Sequence, residues 1–436
     1  MKRKIGLIMT GGGARAAYQV GVLKAIAEIL PRRTRNPFFV ICGTSAGSLN
    51  AVTLAVNALH FRRGVQQLLR IWQNSRIEDI YRSDPIGVLN NSLRWFFGLL
   101  LSGMGARKLT GMSLLDNSPL ATFLDETLPC DKIQKCIDAG VLHALGITAS
   151  GYGSGQSVTF YQGAKGIHPW KRARRLGVPT MIETRHLMAS AAIPFVFPAV
   201  RINREYFGDG SMRQIAPISS ALHLGAHRIL VIGGGQNGHE ITEHEREHAD
   251  DYPSLAQIAG HALNSIFLDS MEVDLERLQR INRTLSTMPE ASRKMSDLHH
   301  VDILVIAPSQ PIEKIAERYS AKLPWTIRYL MRLIGAMRHS GSALVSYLLF
   351  EKSYCRALVD LGYQDAMKRR EEIVAFFSQQ DQRQKSSLRF MPASYSPSVH
   401  GAASRSQDKR CPLHSRTPQS GSSHAGAPVH ARPRNR

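Results

Sequence analysis

Apolar residues occur along the chain in short runs that end at glycine and are followed by segments of helical period. Residues 4–9 predict a buried strand, which the glycines at 11–13 end, and a helical pattern follows. Residues 38–42 predict a second strand, again ended by glycine and followed by a helical segment over residues 49–59. Two strand-turn-helix units in the first sixty residues favour a parallel sheet covered by helices.

The rest of the pattern extends this sheet. Strands are predicted over residues 142–150 and 157–162, and residues 227–233 and 301–307 are the continuous β-branched runs typical of buried parallel strands. Residues 254–281 have a helical period. We therefore expect a three-layer α/β/α fold with a mainly parallel central sheet.

The composition changes near the end of the sequence. Residues 381–436 are rich in Ser, Pro, Gly, Arg and His and show no period, which predicts a disordered basic tail after a domain of residues 1–375. The tail has ten Lys or Arg and two Asp, a net of +8, so the other +13 of the formal +21 belongs to the rest of the chain. Such a basic protein favours polyanions, and charge alone leaves nucleic acid and an anionic membrane face both open.

Cysteine usage and hydropathy predict the compartment. The five cysteines are scattered, odd in number and without metal-ligand spacing, which indicates a reducing compartment; they are Cys42, Cys130, Cys136, Cys355 and Cys411. The apolar stretch after the basic residues 1–4 is too short for a signal-peptide core. The densest apolar run, residues 93–101, is far shorter than the ~18 residues of a membrane-spanning helix. We expect a cytoplasmic protein that is either soluble or peripheral on the inner face of the membrane.

Residues 43–47 read Gly-Thr-Ser-Ala-Gly, a G-x-S-x-G pattern at a predicted strand-to-helix junction. A nucleophile on such a tight turn is held in a strained, exposed conformation, and the flanking glycines let strand and helix pack closely. The N-terminus of the following helix favours a developing negative charge. The pattern also occurs by chance in Gly- and Ser-rich chains, but its position predicts Ser45 as a nucleophile.

Residues 9–15 place three consecutive glycines at another strand-to-helix turn. Their backbone amides can converge on one anion, such as the oxyanion of a tetrahedral intermediate. Gly11, Gly13 and Ala16 also approximate a dinucleotide fingerprint, although the second strand lacks the acidic residue that binds a ribose. A nucleotide-binding protein therefore stays an alternative, as does a nucleic-acid-binding protein that uses the basic tail.

Asp209 lies between Gly208 and Gly210, where an aspartate usually belongs to a surface turn. It becomes a candidate base beside a nucleophile that lacks a histidine. Histidine is the ordinary base for serine, and of the 17 histidines only His186 and His227 are plausible candidates.

Four ordered blocks resemble those of the patatin-like phospholipase family, and the resemblance covers roughly residues 4–310. They are residues 11–15 with Gly21, residues 43–47, residues 189–194 (ASAAIP) with Phe197 and Pro198, and Asp209 with Gly210. The resemblance implies a lipid acyl hydrolase of the phospholipase A or lysophospholipase kind, with a Ser-Asp dyad and no metal or other cofactor. By carry-over, Ser45 is the nucleophile, Asp209 the base, and the amides of Gly11, Gly12 and Gly13 the oxyanion hole. Arg15 matches a family arginine or lysine that orients the loop or meets a substrate phosphate, and a solvated arginine at the start of the helix is the alternative.

An acyltransferase and a non-lipid carboxylesterase are alternatives on the same dyad. We expect the partner to be a lipid substrate at an anionic membrane surface and expect no specific nucleic acid. Residues 170–175 place a tryptophan beside four cations, which suits a headgroup interface or a solvated charge run. Residues 93–101 fit a lid or a buried helix. Residues 325–337 predict a helix with Ile327, Leu330, Met331 and Ile334 on its core face.

Overall fold

The computed structural model describes residues 4–84, 113–233, 254–296, 298–333, 335–337 and 342–378, all within one compact unit. The predicted tail and the apolar segment 93–101 lie outside these ranges. Within them, every helix is too short or too polar to span a lipid bilayer.

In the part of the chain that the structure describes, ten strands form one sheet. They are β1 (Ile5–Met9), β2 (Val40–Thr44), β3 (Ala144–Gly151), β4 (Ser157–Gly163), β5 (Trp170–Arg172), β6 (Arg175–Pro179), β7 (Val200–Ile202), β8 (Glu205–Asp209), β9 (Arg228–Ile232) and β10 (Asp302–Ile306).

Helices connect and cover these strands. In the described residues they are α1 (Ala17–Ile29), α2 (Ala46–Val56), α3 (Phe61–Gln73), α4 (Ser118–Thr127), α5 (Asp131–Asp138), α6 (Thr184–Ser190), α7 (Pro217–His223), α8 (Leu255–Asn264), α9 (Ser270–Thr287), α10 (Glu290–Met295), α11 (Ile312–Tyr319), α12 (Trp325–Leu333), α13 (Ser342–Leu348), α14 (Lys352–Lys368) and α15 (Arg370–Phe377). Short 3-10 turns lie at Gly13–Ala16, Ile77–Asp79, Gly210–Arg213 and Ser320–Lys322, and a π-helical turn at Ser265–Asp269 joins α8 to α9.

The strand order is β10-β9-β1-β2-β3-β4-β6-β5, with β8 paired to both β3 and β7. The pairings of β1 with β2, β1 with β9, β9 with β10, β2 with β3 and β4 with β6 are parallel. The mainly parallel sheet and the predicted fold class are thereby confirmed, and all six predicted strands are present. The sequence pattern did not predict β5, β6, β7 and β8, which are at most five residues long.

Both faces of the sheet are covered by helices. Leu7 and Met9 of β1 point into a large core shared with α1, α2 and α14, whereas Ile8 between them belongs to a second core. That second core contains Ile218 of α7 and Leu278 of α9. Adjacent strand residues point to opposite faces, so the central strands are buried on both sides and the sheet is the middle of three layers.

The C-terminal helix α14 packs closely on α1. A Cβ atom at Gly21 would fall onto the carbonyl oxygen of Val359, and one at Gly362 onto that of Tyr18, so both glycines permit the contact between the helix backbones. The Tyr18 hydroxyl also donates a 3.1 Å hydrogen bond to the buried Asp365. The first helix after the glycine loop is therefore held by α14.

Candidate active site

Ser45 stands on the turn between β2 and α2 with a positive φ of 53°. Left-handed backbone is uncommon for a residue other than glycine and marks a turn held by its surroundings. Its N–H donates a 2.9 Å hydrogen bond to Ser190 Oγ, which donates in turn to the carbonyl oxygen of Thr148 on β3 at 2.6 Å. The turn at Ser45 is thus fixed to the neighbouring strand through the buried Ser190.

The glycines around Ser45 are required by close packing. A Cβ atom at Gly43 would lie 2.5 Å from the carbonyl oxygen of Gly47 and 2.6 Å from Ser48 Cα. One at Gly47 would overlap the carbonyl oxygen of Met9 at the end of β1. The G-x-S-x-G pattern therefore lets the start of α2 lie directly against β1 and β2.

The sheet register explains how Asp209 reaches Ser45. Thr44, the last residue of β2, pairs with Thr148 of β3, and the next residue, Ala149, pairs with Asp209 of β8. Because β4 occupies the other edge of β3, β8 continues the edge on which β2 ends. The two strands meet end to end, and Ser45 Oγ donates a 2.5 Å hydrogen bond to Asp209 Oδ2.

The carboxylate of Asp209 is completely buried. Its Oδ1 accepts a 2.9 Å hydrogen bond from the N–H of Ser211. Burial raises the pKa of Asp209 to about 6, against the lowering effect of the hydrogen bonds from Ser45 and Ser211. Desolvation disfavours the charged form, so this carboxylate is a stronger base than an aspartate in water.

Neither candidate histidine is hydrogen-bonded to Ser45 or Asp209 within the described residues. His186 is buried, and its Nδ1 accepts a 3.0 Å hydrogen bond from the Glu183 N–H at the start of α6. Burial lowers its pKa. His227 precedes β9 and its N–H donates to Lys4 before β1, so it lies at the opposite end of the parallel strands from Ser45.

The glycine loop lies between β1 and α1, beside the Asp209 turn. Gly12 and Gly13 have φ values of 151° and 54°, which favour glycine. A Cβ atom at Gly11 would lie 2.5 Å from Ser211 Oγ. Among the described residues, the amides of Gly11 and Gly12 donate to no acceptor.

Arg15 is bound to the C-terminal part of the domain. Its Nε donates a 2.8 Å hydrogen bond to Ser346 Oγ, and Nη2 lies 2.8 Å from Glu313 Oε1. The guanidinium also stacks on the Tyr347 ring at 3.9 Å, and the side chain is only 8% exposed. A Cβ atom at Gly13 would overlap the Tyr347 carbonyl oxygen, so α13 contacts both the loop and its arginine.

A cavity of ≈ 390 Å³ opens beside Ser45. Its lining includes Ser45, Gly13 and apolar side chains from α2, α3, α4, α6 and the following loop: Leu49, Ile71, Trp72, Leu120, Phe123, Leu124, Leu187, Ile193 and Phe197. Its polar lining residues include the exposed Arg70. Volume and lining suit an apolar ligand group with a polar end.

The cationic stretch at residues 170–175 forms β5 and the turn into β6 at one edge of the sheet. The Trp170 ring stacks on Tyr161 and His223, with ring centroids 5.2 and 4.9 Å apart. Lys171 and Arg172 are exposed. The tryptophan is therefore engaged in an aromatic stack while the neighbouring cations face solvent.

The family model for patatin-like phospholipases matches residues 7–222. This segment belongs to the patatin-like phospholipase family. It includes the glycine loop, Ser45 and Asp209, and the predicted family is confirmed.

Individual proteins resemble the chain more distantly. A cGAMP-activated phospholipase from Pseudomonas aeruginosa is 28% identical over 221 residues, which cover 50% of this chain and 55% of that relative. The match thus spans only about half of the relative's length. Among solved structures, VipD from Legionella pneumophila has a TM-score of 0.30 at 11% identity, covering 83% of this chain and 67% of VipD. The type III effector ExoU has a TM-score of 0.24 at 16% identity, covering 79% and 77%.

Several residues that hold Ser45 and Arg15 in place could not be recognised from the sequence. Ser190 belongs to the A-S-A-A-I-P block, but nothing in that block indicates that its hydroxyl accepts a hydrogen bond from the Ser45 amide. Glu313, Ser346 and Tyr347, which bind Arg15, lie beyond the matched segment. No local pattern around these three residues indicates the contact.

Proposed function

We propose that the domain hydrolyses acyl esters of lipids, with Ser45 as nucleophile and Asp209 as base. The 2.5 Å hydrogen bond between Ser45 Oγ and Asp209 Oδ2 beside an apolar cavity is the observation that carries this proposal. Family membership and the phospholipase relative support a lipid hydrolase in general terms. The dyad, its oxyanion hole and serine dependence are our finer inference.

In the proposed reaction, Ser45 Oγ attacks the acyl carbonyl carbon while its proton passes to Asp209 Oδ2. The raised pKa of Asp209 makes this transfer easier than it is for an ordinary aspartate. The ester C–O bond then breaks, and the leaving alcohol takes the proton from Asp209. The acyl group remains on Ser45 until a water molecule gives a proton to Asp209 and attacks, which releases the fatty acid and restores the serine.

We propose that the amides of Gly11, Gly12 and Gly13 stabilise the negatively charged oxygen of the tetrahedral intermediate. Two observations support this role. The amides of Gly11 and Gly12 donate to no acceptor among the described residues, and Gly13 and Ser45 line the same cavity. The N-terminus of α2 adds a favourable partial positive charge next to Ser45.

For Arg15 we propose that it orients the loop. Its guanidinium is engaged by Glu313, Ser346 and Tyr347, which supports a structural link to the glycine loop better than a contact with a substrate phosphate. Arg70, which is exposed and lines the cavity, is the better candidate for the phosphate.

The proposal is tested by incubating the protein with phospholipids, lysophospholipids, triacylglycerol and a short-chain p-nitrophenyl ester, all in chelator. Mass spectrometry identifies released fatty acids, and Ser45→Ala is the control for contaminating lipases. Fatty acid release by wild type alone supports a lipid hydrolase, whereas cleavage of the short ester only supports a non-lipid esterase. Transfer of the acyl group to added alcohol or lysolipid, with little free acid, supports an acyltransferase.

A further inference from the structure

We propose that the outward face of α12 is the surface by which this domain lies on an anionic phospholipid bilayer, and this rests on the proposed lipid hydrolase function. The helix was expected to pack in the core through Ile327 and Met331, and both are fully buried. Its other face is unusual, because Trp325, Tyr329 and Leu333 are 63%, 61% and 66% exposed.

These three side chains form one stripe. Residues at i, i+4 and i+8 advance by about 40° per step around an α-helix, so they fall within a sector of about 80°. Arg328 and Arg332 extend the same surface on the Trp325 side, to a total of about 140°. The buried residues Thr326, Ile327 and Met331 occupy the remaining side. The helix is therefore amphipathic with aromatic and cationic residues together on its free side.

The charge of this region identifies the occupant. From Arg318 to Phe350 the sequence has five Lys or Arg and no Asp or Glu. Within the described residues, no salt bridge joins Lys322, Arg328 or Arg332 to a carboxylate. Lys322 Nζ donates to Ser353 Oγ and Arg328 Nη1 to the Ala321 carbonyl oxygen, and both acceptors are neutral. Trp and Tyr prefer the level of lipid headgroups, and unpaired cations are attracted to anionic lipids. The combination of an exposed stripe of Trp325, Tyr329 and Leu333 with arginines that form no salt bridge in the described residues fits an anionic bilayer better than it fits a protein core.

The position of α12 links this surface to the catalytic cavity. Thr326 Oγ1 donates a 2.7 Å hydrogen bond to the carbonyl oxygen of Ser83. The same stretch of chain contributes Asp79 and Ile80 to the lining of the Ser45 cavity. Tyr81 in this stretch is buried, and its hydroxyl donates to the Leu348 carbonyl oxygen at 2.9 Å. A helix fixed to the cavity wall would bring the cavity close to the bilayer on which it lies.

Binding is measured by co-sedimentation of the full chain with phosphatidylcholine vesicles and with vesicles of equal parts phosphatidylcholine and phosphatidylglycerol. All proteins carry Ser45→Ala, so that hydrolysis does not alter the vesicles. We expect Arg328→Gln with Arg332→Gln to weaken binding to the anionic vesicles roughly 30-fold, which corresponds to ~1 kcal/mol per arginine. We expect Trp325→Ser with Tyr329→Ser and Leu333→Ser to weaken it at least as much. The matched control is Leu255→Ser with Met295→Ser, two apolar residues that are 71% and 89% exposed elsewhere.

Tryptophan fluorescence locates the contact without relying on affinity. The chain has four tryptophans, of which Trp72 is buried and Trp170 is stacked. Brominated lipids quench indoles that enter the bilayer, so most of the quenching should disappear in Trp325→Phe and persist in Trp72→Phe. If Trp95→Phe removes the quenching and Trp325→Phe does not, the membrane contact belongs to the 93–101 segment and the proposal is overturned.

Two further outcomes overturn the proposal. Unchanged vesicle binding by both α12 variants excludes this face, and a change from dimer to monomer with unchanged vesicle binding assigns it to a second copy of the chain. A second assay separates the two proposals: the same α12 variants, now with Ser45 intact, are tested for hydrolysis of a water-soluble ester. If they lose vesicle binding but still cleave the soluble ester, α12 acts in membrane binding and not in catalysis. If the wild-type protein binds vesicles but cleaves no ester, the proposed function is wrong and the membrane surface stands.

Discussion

Ser45 and Asp209 are 164 positions apart in the sequence, and their side chains are joined by a hydrogen bond of 2.5 Å. The contact arises because β8 continues the edge of β3 on which β2 ends. Both residues are buried, and Ser45 is held from its backbone by Ser190. This geometry supports the proposed roles of Ser45 as nucleophile and Asp209 as base, and both roles can be tested.

The first prediction concerns the nucleophile. Ser45→Ala should lower ester hydrolysis at least ~10³-fold with the fold unchanged, because the proposed mechanism has no other group that attacks the acyl carbon. A fluorophosphonate probe should label wild type at Ser45 and leave the variant unlabelled. Circular dichroism and the melting temperature control for folding. Labelling at another serine with activity retained would exclude Ser45.

The second prediction concerns the base. Asp209→Asn keeps the shape of the side chain and removes its proton acceptor, so turnover should fall roughly 10²–10⁴-fold. His186→Ala and His227→Ala should retain most of the activity, because neither ring is hydrogen-bonded to the dyad within the described structure. The result that contradicts the dyad is substantial turnover by Asp209→Asn together with loss of turnover in a folded histidine variant.

The turns that carry the proposed site residues could be predicted from the sequence because their signals are local. Glycines at 43 and 47 are required by contacts between consecutive elements, and the β-branched runs of β9 and β10 reflect burial on both faces. The fold class followed from the same signals. The assignment of Asp209 as the partner of Ser45 came from the family resemblance, because no periodicity in residues 205–209 predicts β8.

What the sequence could not predict depends on distant contacts. The partners of Arg15 come from α11 and α13, about 300 residues along the chain, and the pattern at residues 9–15 is the same whether the guanidinium meets a phosphate or Glu313. The sequence of residues 170–175 indicates only a run of charged residues, yet Trp170 is held by stacking on Tyr161 of β4 and His223 of α7. In both cases the side chain is positioned by elements that no local pattern links to it.

The third prediction follows from the pKa of Asp209. Its value rises from 3.8 in the unfolded chain to about 6 in the folded protein, so the folded protein retains a proton that the unfolded chain releases between these values. The stability contribution of Asp209 therefore falls as pH rises through about 4 to 6, by up to about 3 kcal/mol in order of magnitude. The kcat/KM for ester hydrolysis should rise over the upper part of the same range as the base ionises.

Urea unfolding at pH 5 and pH 8 tests the stability part. Asp209→Asn should be more stable than wild type at pH 8, because it removes a buried charge, and this advantage should be smaller at pH 5. His186→Ala is the control for a buried titratable residue outside the dyad. An advantage that is equal at both pH values would show that Asp209 does not titrate in this range.

The fourth prediction concerns the link between Arg15 and the C-terminal helices. Glu313→Gln removes the charge partner and should lower kcat roughly 10- to 100-fold with little change in KM, because a displaced glycine loop binds the transition state less well than the substrate. Arg15→Lys should restore part of the activity lost in Arg15→Gln, since it keeps the charge without the planar guanidinium.

If Arg15 instead bound a substrate phosphate, Arg15→Gln would raise KM for phospholipids and spare neutral short-chain esters. Our assignment predicts equal losses of kcat for both substrate classes. Arg70→Gln is the matched arginine variant. It should raise KM for phospholipids while leaving a neutral ester unaffected.

The last prediction concerns the cavity beside Ser45 as the site of the acyl chain. Leu120 lines it from α4 and is 7% exposed, so Leu120→Trp should fill part of the ≈ 390 Å³. If about three methylene groups of a long acyl chain lose their apolar contacts at ~0.8 kcal/mol each, kcat/KM for a palmitoyl ester should fall roughly 50-fold. A butyryl ester needs less of the cavity and should react at nearly the wild-type rate. Leu120→Ala controls for loss of packing. It should lower the melting temperature without a selective fall in kcat/KM for the palmitoyl ester. Equal losses for butyryl and palmitoyl esters would indicate damage to the catalytic residues, and unchanged rates for both would exclude this cavity as the acyl site.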